Sequence, residues 1–304
     1  MEFSRWLDEK NNSLEEINKI LTRKRNDEKD EEGSSTKYVE WNIENTVNGK
    51  IRSGDKDIEY KSYNYSVQIE NKDSSKSGDA VQYTGKIIAY LLDDKVRYII
   101  SKNTGAQTLL RQALGYTTER KVITDLTQKF SSDFFMWLIK KVYFDDSIFG
   151  NEDETQNASL VIELIKGFRG NSQDFSSTVS AKGQTVMKLI STISFLIESS
   201  NLKQLILSLF YKEHETIDIK LKENGIVGYD DDAYQGILLK ESEDKRISEM
   251  MLILFIEVLP IIRQQYNEEV SSNLWNTEIK TQFISTLAKE LEKNINERIE
   301  DFKK

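Results

Sequence analysis

Val39-Glu40-Trp41-Asn42-Ile43-Glu44 alternates apolar and polar residues, and this period of two decides how the chain is read. Side chains of an extended strand point to the two faces of a sheet in turn, so such a stretch buries one face and wets the other. The pattern recurs. Tyr63, Tyr65, Val67 and Ile69 alternate with polar neighbours, and Val96, Tyr98 and Ile100 do the same after Asp93-Asp94. Short strands joined by polar turns predict an antiparallel, half-solvated sheet. Asn48-Gly49 is the expected site of one hairpin turn, since both residues tolerate positive φ.

Upstream of the sheet, Phe3, Trp6, Leu7, Leu14, Ile17, Ile20 and Leu21 recur at helical spacing and predict a helix over 3–21. Residues 23–36 contain no apolar side chain and read as a charged, flexible linker. Downstream, helices are expected over 109–114 (stopped by Gly115), 134–144, 158–168 and 184–198. Leu205, Leu207 and Leu209, then Ile217, Ile219 and Leu221, return to the period of two. Glu223-Asn224-Gly225 should turn a hairpin across 203–229. Residues 243–269 predict a buried helix kinked at Pro260. Residues 274–302 predict a long amphipathic helix striped by Ile284, Leu287, Leu291, Ile295, Ile299 and Phe302.

The expected class is therefore α+β: an N-terminal helix, an antiparallel sheet, then a mostly helical C-terminal half with an inserted β-hairpin. The expected organisation is a helical arm with its linker over 1–36, a sheet with helices over 37–145, and a helical region with the hairpin over 158–304. The acidic loop Asp145 to Glu154 separates the last two. Trp137, Leu138, Phe195, Leu254 and Ile256 lie in dense apolar stretches and are expected core residues.

Composition narrows the chemistry. The 304 residues include no cysteine, one histidine and one proline. A thiol nucleophile and a Cys-based zinc site are excluded, and any Ser-His-Asp triad would have to use His214. Flanked by Glu213 and Glu215, that histidine is expected at the surface and charged. A net charge of −9 opposes indiscriminate polyanion binding. The first residues lack an apolar core, so a secretory signal is not expected. The run Met250 to Ile262 is shorter than the roughly 20 residues a membrane span needs. A cytoplasmic protein without membrane contact is the expectation.

Against this acidic average, Lys95, Arg97, Lys102, Arg111, Arg120 and Lys121 are interrupted by one acid, Glu119. They form the expected nucleic-acid or phosphate-binding segment, leading into a helix N-terminus suited to anions. Such binding should weaken steeply with salt. A rival reading takes Asp57, Glu70 and Lys72 as a Mg²⁺-dependent nuclease site, because carboxylates that hold the metal and a lysine that positions water recur in that chemistry. Asp230-Asp231-Asp232 reads as a polar turn rather than a calcium loop. Glycine-rich phosphate loops are missing from the sequence.

The leading expectation is a non-catalytic subunit that binds a protein partner, or itself, through its terminal helices, and nucleic acid through the basic segment. No cofactor is implied, with Mg²⁺ entering only under the nuclease reading. A purely structural, self-assembling protein is the third reading.

Overall fold

The computed structural model describes residues 1–23, 36–71, 81–102, 104–116, 119, 121–150, 160–171, 178–182, 193, 194, 196, 197 and 201–303. They form two compact units. The first comprises Met1–Thr127 with Glu241–Ile253, the second Gln128–Lys240 with Leu254–Lys304.

The first unit is built on β1 (Glu2–Asp8), β2 (Thr36–Ser53), β3 (Lys56–Asn71), β4 (Val81–Leu92), β5 (Lys95–Ile100) and β6 (Ile123–Asp125). The strands run antiparallel in the order β2-β3-β4-β5-β1, with β6 also pairing β1. Helices α1 (Leu14–Leu21) and α2 (Ala106–Leu114) cover one face. There Ile17, Leu21, Leu109 and Leu110 join Tyr63, Ile87, Val96 and Tyr98 in one core. A third helix of this unit, α4 (Glu243–Ile253), lies over the other face and bonds to β3 and β4 through polar side chains.

The second unit has its own antiparallel sheet. Its strands are β7 (Ile148–Phe149), β8 (Leu160–Asn171), β9 (Thr178–Lys182), β10 (Asn201–Tyr211), β11 (His214–Lys222) and β12 (Val227–Gln235). The order is β12-β11-β10-β8-β7, with β9 on β8. Helix α3 (Ser132–Tyr143) packs on β8 and β10. A π-helical turn, Leu254–Val258, leads into α5 (Leu259–Ser271), and α6 (Thr277–Lys303) follows. Phe134, Trp137, Phe149 and Tyr266 form an aromatic cluster with ring centroids 5.2–5.8 Å apart.

The expected class is overturned in three places. First, the chain starts with a strand. Phe3, Trp6 and Leu7 match helical spacing because β1 lies between β5 and β6 and carries apolar residues on both faces. Asp8 then accepts from the backbone N–H groups of Lys10 and Asn11, which turns the chain, and Ser13 caps α1. Second, the described part of the expected helix 158–168, residues 160–168, belongs to β8, paired along its length with β10. Short apolar runs of this kind carry no decisive period. Third, the C-terminal half holds a sheet rather than one inserted hairpin. The turn at Asn224-Gly225 does join β11 to β12, with Gly225 at φ 82, but β10 turns into β11 earlier, at Lys212 with φ 52. The expected helix over 184–198, with Phe195, lies largely outside the described residues.

Asn48-Gly49 is not a turn either. β2 continues to Ser53, and the chain reverses at Gly54-Asp55. Gly49 sits opposite Tyr60, whose ring lies across it: a Cβ at 49 would come 2.5 Å from the Tyr60 ring. This glycine is a close-approach site within a strand. Gly49→Ala should cost about 1–3 kcal/mol, because Tyr60 would have to leave its buried place. A denaturant melt showing a loss below about 0.5 kcal/mol would contradict this packing.

Candidate functional site

Helix α6 is the element whose construction points outward. Asn276 caps it, accepting from the Ile279 N–H at 3.0 Å. Its first turns are fixed by one carboxylate. Asp133, in the first turn of α3, accepts from the Tyr266 hydroxyl at 2.7 Å, from the Trp275 indole at 2.9 Å and from the Lys280 ammonium. Burial works against the Asp133 charge, but these three donors outweigh it and hold its carboxyl below the usual range. Phe283 then inserts beside Tyr143 and Phe144, and Leu287 is fully buried.

Beyond Leu287 the same stripe continues, but only Leu291 is partly covered. Ile295 is 42% exposed, Ile299 45% and Phe302 80%. The opposite side carries Lys293 and Glu297, paired at i,i+4. The outer half of α6 is thus an amphipathic helix anchored at its base, with its apolar edge in solvent. Phe144, 49% exposed, lies against Phe283 and extends that edge toward α3.

The basic segment is distributed over several environments. Lys95 and Arg97 share one face of β5, as alternation demands. Lys95 reaches Glu9 at 3.8 Å and Arg97 reaches Asp93 at 3.4 Å. Lys102 lies over the Tyr83 ring at 4.1 Å, and burial lowers its pKa. Arg111 is buried and donates to the carbonyls of Tyr116 and Glu119, closing the C-terminus of α2. Lys121 is exposed, and Arg120 lies outside the described residues.

Asp57 and Glu70 stand thirteen residues apart on the single strand β3. At about 3.3 Å per residue that separates them by roughly 40 Å, far beyond the reach of one metal ion. Asp57 is exposed beside Lys50 at 3.6 Å, and Lys72 lies outside the described residues. Among the described residues, no three Asp, Glu or His side chains are grouped to hold a metal. Asp230-Asp231-Asp232 lies within β12 rather than in a turn.

Two polar constellations escaped the sequence reading. One joins β3 and β4 to α4. Tyr60, Ser62 and Asn64 share one strand face, and Asp244 and Ser248 share one helical face, so periods of two and four meet. The Tyr60 hydroxyl donates to Glu249 at 2.9 Å, Ser248 to Ser62 at 2.8 Å, and the buried Lys86 ammonium to Asn64 at 2.8 Å and to Asp244. Asn64, Lys86 and Asp244 line a cleft of about 590 Å³ together with Asn42, Ser66 and Thr84. Burial and Glu249 push the Tyr60 phenol well above its ordinary value.

The other surrounds His214, which is not the exposed, charged side chain expected. It is 4% exposed and its Nδ1 lies 2.7 Å from the Tyr234 hydroxyl. Burial pushes its pKa down, reinforced by Lys212 and opposed by Glu213 and Glu257. Glu257, on the π-helical turn, accepts from Tyr211 and from Lys212, both at 2.6 Å.

Trp275 was the available signal for the α6 anchor: an indole between Ser271-Ser272-Asn273 and Asn276-Thr277, beside only Leu274, needs a reason to be there. No helix among the described residues is long and apolar enough to cross a membrane. No family model matches this sequence, and no curated protein matches it.

Proposed function

We propose that this protein is a non-catalytic binding subunit that docks a protein partner along the outer half of α6. The observation that carries the reading is the exposed edge Ile295, Ile299 and Phe302 on a helix anchored through Asp133. A contiguous apolar edge in solvent is a liability unless something covers it, and an amphipathic partner helix or groove is the natural cover. Anchoring lowers the entropy lost on docking, because the helix is already formed and oriented.

A photo-crosslinking residue at position 299, with a control at 297 on the opposite side, tests this in host cells. The expected result is one discrete adduct from 299 and none from 297. An adduct of twice the chain mass would identify the partner as a second copy. The triple substitution Ile295→Ser, Ile299→Ser, Phe302→Ser should abolish that adduct and leave the melting temperature within about 2 °C, since exposed side chains contribute little to stability. Equal labelling from both positions, or a drop of many degrees in the triple variant, would sink the reading.

A further inference from the structure

We propose that His214 is a pH-operated latch on the 3₁₀ turn Ile237–Lys240 of the second unit, closed when its imidazole is neutral and released when it is protonated. His214 opens β11 and Tyr234 lies on β12, 4% and 1% exposed, with Nδ1 and the hydroxyl 2.7 Å apart. The turn is fastened directly onto this pair. The Leu238 N–H donates to the Tyr234 oxygen at 3.2 Å, and the Ile237 N–H donates to the Glu213 carbonyl at 3.3 Å. Gly236, at φ 149, lets the chain pass this close. A Cβ there would lie 2.6 Å from the Tyr234 hydroxyl and 2.9 Å from the His214 Cα.

In the closed latch the phenol oxygen accepts from Leu238 and the phenol proton goes to Nδ1, which accepts it in a neutral ring protonated at Nε2. Protonating Nδ1 places two hydrogens between atoms 2.7 Å apart. Either the hydroxyl proton rotates away and leaves the oxygen in place, or the pair separates; the latch opens by separation, which moves the oxygen that holds Leu238.

The charged groups facing the ring are Lys212 and Glu213 from the β10–β11 turn and Glu257 from the π-helical turn. Glu257 accepts from Tyr211 and Lys212 through Oε2, its buried Oε1 takes no hydrogen bond from the described residues, and its charge opposes the effect of burial on the ring. Leu238 is 8% exposed, whereas Ile237 and Leu239 are 54% and 50% exposed. Release of the turn would therefore present three consecutive aliphatic side chains on acidification.

The sign is set by burial. The folded value lies below the ordinary 6.5, so the latch is fully closed above 6.5. It loosens as pH falls from there toward the folded value. His214 is the one histidine in the chain, so its ring protons titrate alone in an NMR spectrum. The measured midpoint should lie below 6.5. Hydrogen exchange at the Leu238 amide, corrected for its intrinsic rate, should accelerate over the same interval. Linkage sets the size: about tenfold for each unit by which the midpoint falls below 6.5.

His214→Gln keeps an acceptor for the phenol and should abolish the pH dependence. Tyr234→Phe should remove Leu238 protection at every pH, and it decides the matter if the glutamine variant does not fold. A flat Leu238 exchange profile across the His214 titration, or a midpoint at or above 6.5, would overturn the proposal.

Discussion

Glu269→Ala is expected to lower the stability of the second unit by about 3 kcal/mol or more. Glu269 and Lys141 are a buried ion pair 2.6 Å apart, with side chains 9% and 8% exposed. Glu269 also accepts from the Trp137 indole at 2.8 Å and from Gln265 at 3.2 Å. Truncation removes the acceptor of three donors at once, including the indole of the largest fully buried side chain in the chain's core. Lys141 retains Asp146 at 2.7 Å, but that carboxylate is largely solvated and compensates only in part. Glu269→Gln keeps an acceptor for the indole and should cost less. Denaturant melts of the two variants provide the check, and a loss below about 1 kcal/mol for the alanine variant would show that the pair is idle.

The same pair predicts how pH acts. Burial raises the Glu269 pKa, yet the bonds from Lys141, Trp137 and Gln265 outweigh it and hold the carboxyl below its ordinary value of 4.5. A depressed carboxyl contributes stability above the unfolded value and loses it as pH falls through the folded one. Wild type and Glu269→Ala should therefore differ most at neutral pH, and their stabilities should converge in acid.

How far the fold was legible depends on whether one face of an element meets solvent. β3 and β5 are recognisable from Tyr63, Tyr65 and Val67 or Val96 and Tyr98, because the side chains between these, Asn64, Ser66 and Arg97, are polar and not fully buried. β1 carries apolar residues on both faces, and β8 shifts register between Ile162 and Leu164 and between Ile165 and Gly167, so their apolar residues lose the period of two and imitate a helix. Turn residues misled for a related reason. Asn48-Gly49 has turn chemistry, but Gly49 is small because Tyr60 lies on it, and tertiary packing overrides local preference.

The site was half legible for the opposite reason. The stripe on α6 is visible in the sequence from Ile284 to Phe302, but where burial stops along it is not. That depends on Asp133, which lies 147 residues from Lys280. Glu59, Tyr60 and Lys61 are adjacent on β3, and the two charged side chains face solvent and α1. Lys61 meets Glu15 at 2.8 Å, and the residue that works inward is the tyrosine between them.

Leu254→Ala is the second large effect, with an expected loss of about 2–5 kcal/mol, and its contrast with Ile256→Ala carries the argument. Both leucine and isoleucine read as core in the sequence. The structure buries Leu254 completely and leaves Ile256 only partly covered. The difference comes from Pro260, near the start of α5. Proline has no N–H for the carbonyl four residues earlier, which is that of Ile256, and its ring crowds that carbonyl. A π-helical turn over Leu254–Val258 accommodates the conflict by widening the turn. The wider turn brings Leu254, Val258, Leu259 and Ile262 inward and swings Ile256 and Pro260 outward. Ile256→Ala should then cost less than about 1.5 kcal/mol, below the usual range for a buried isoleucine. Equal losses from the two substitutions would mean that the helix runs as a regular α-helix through 254–258.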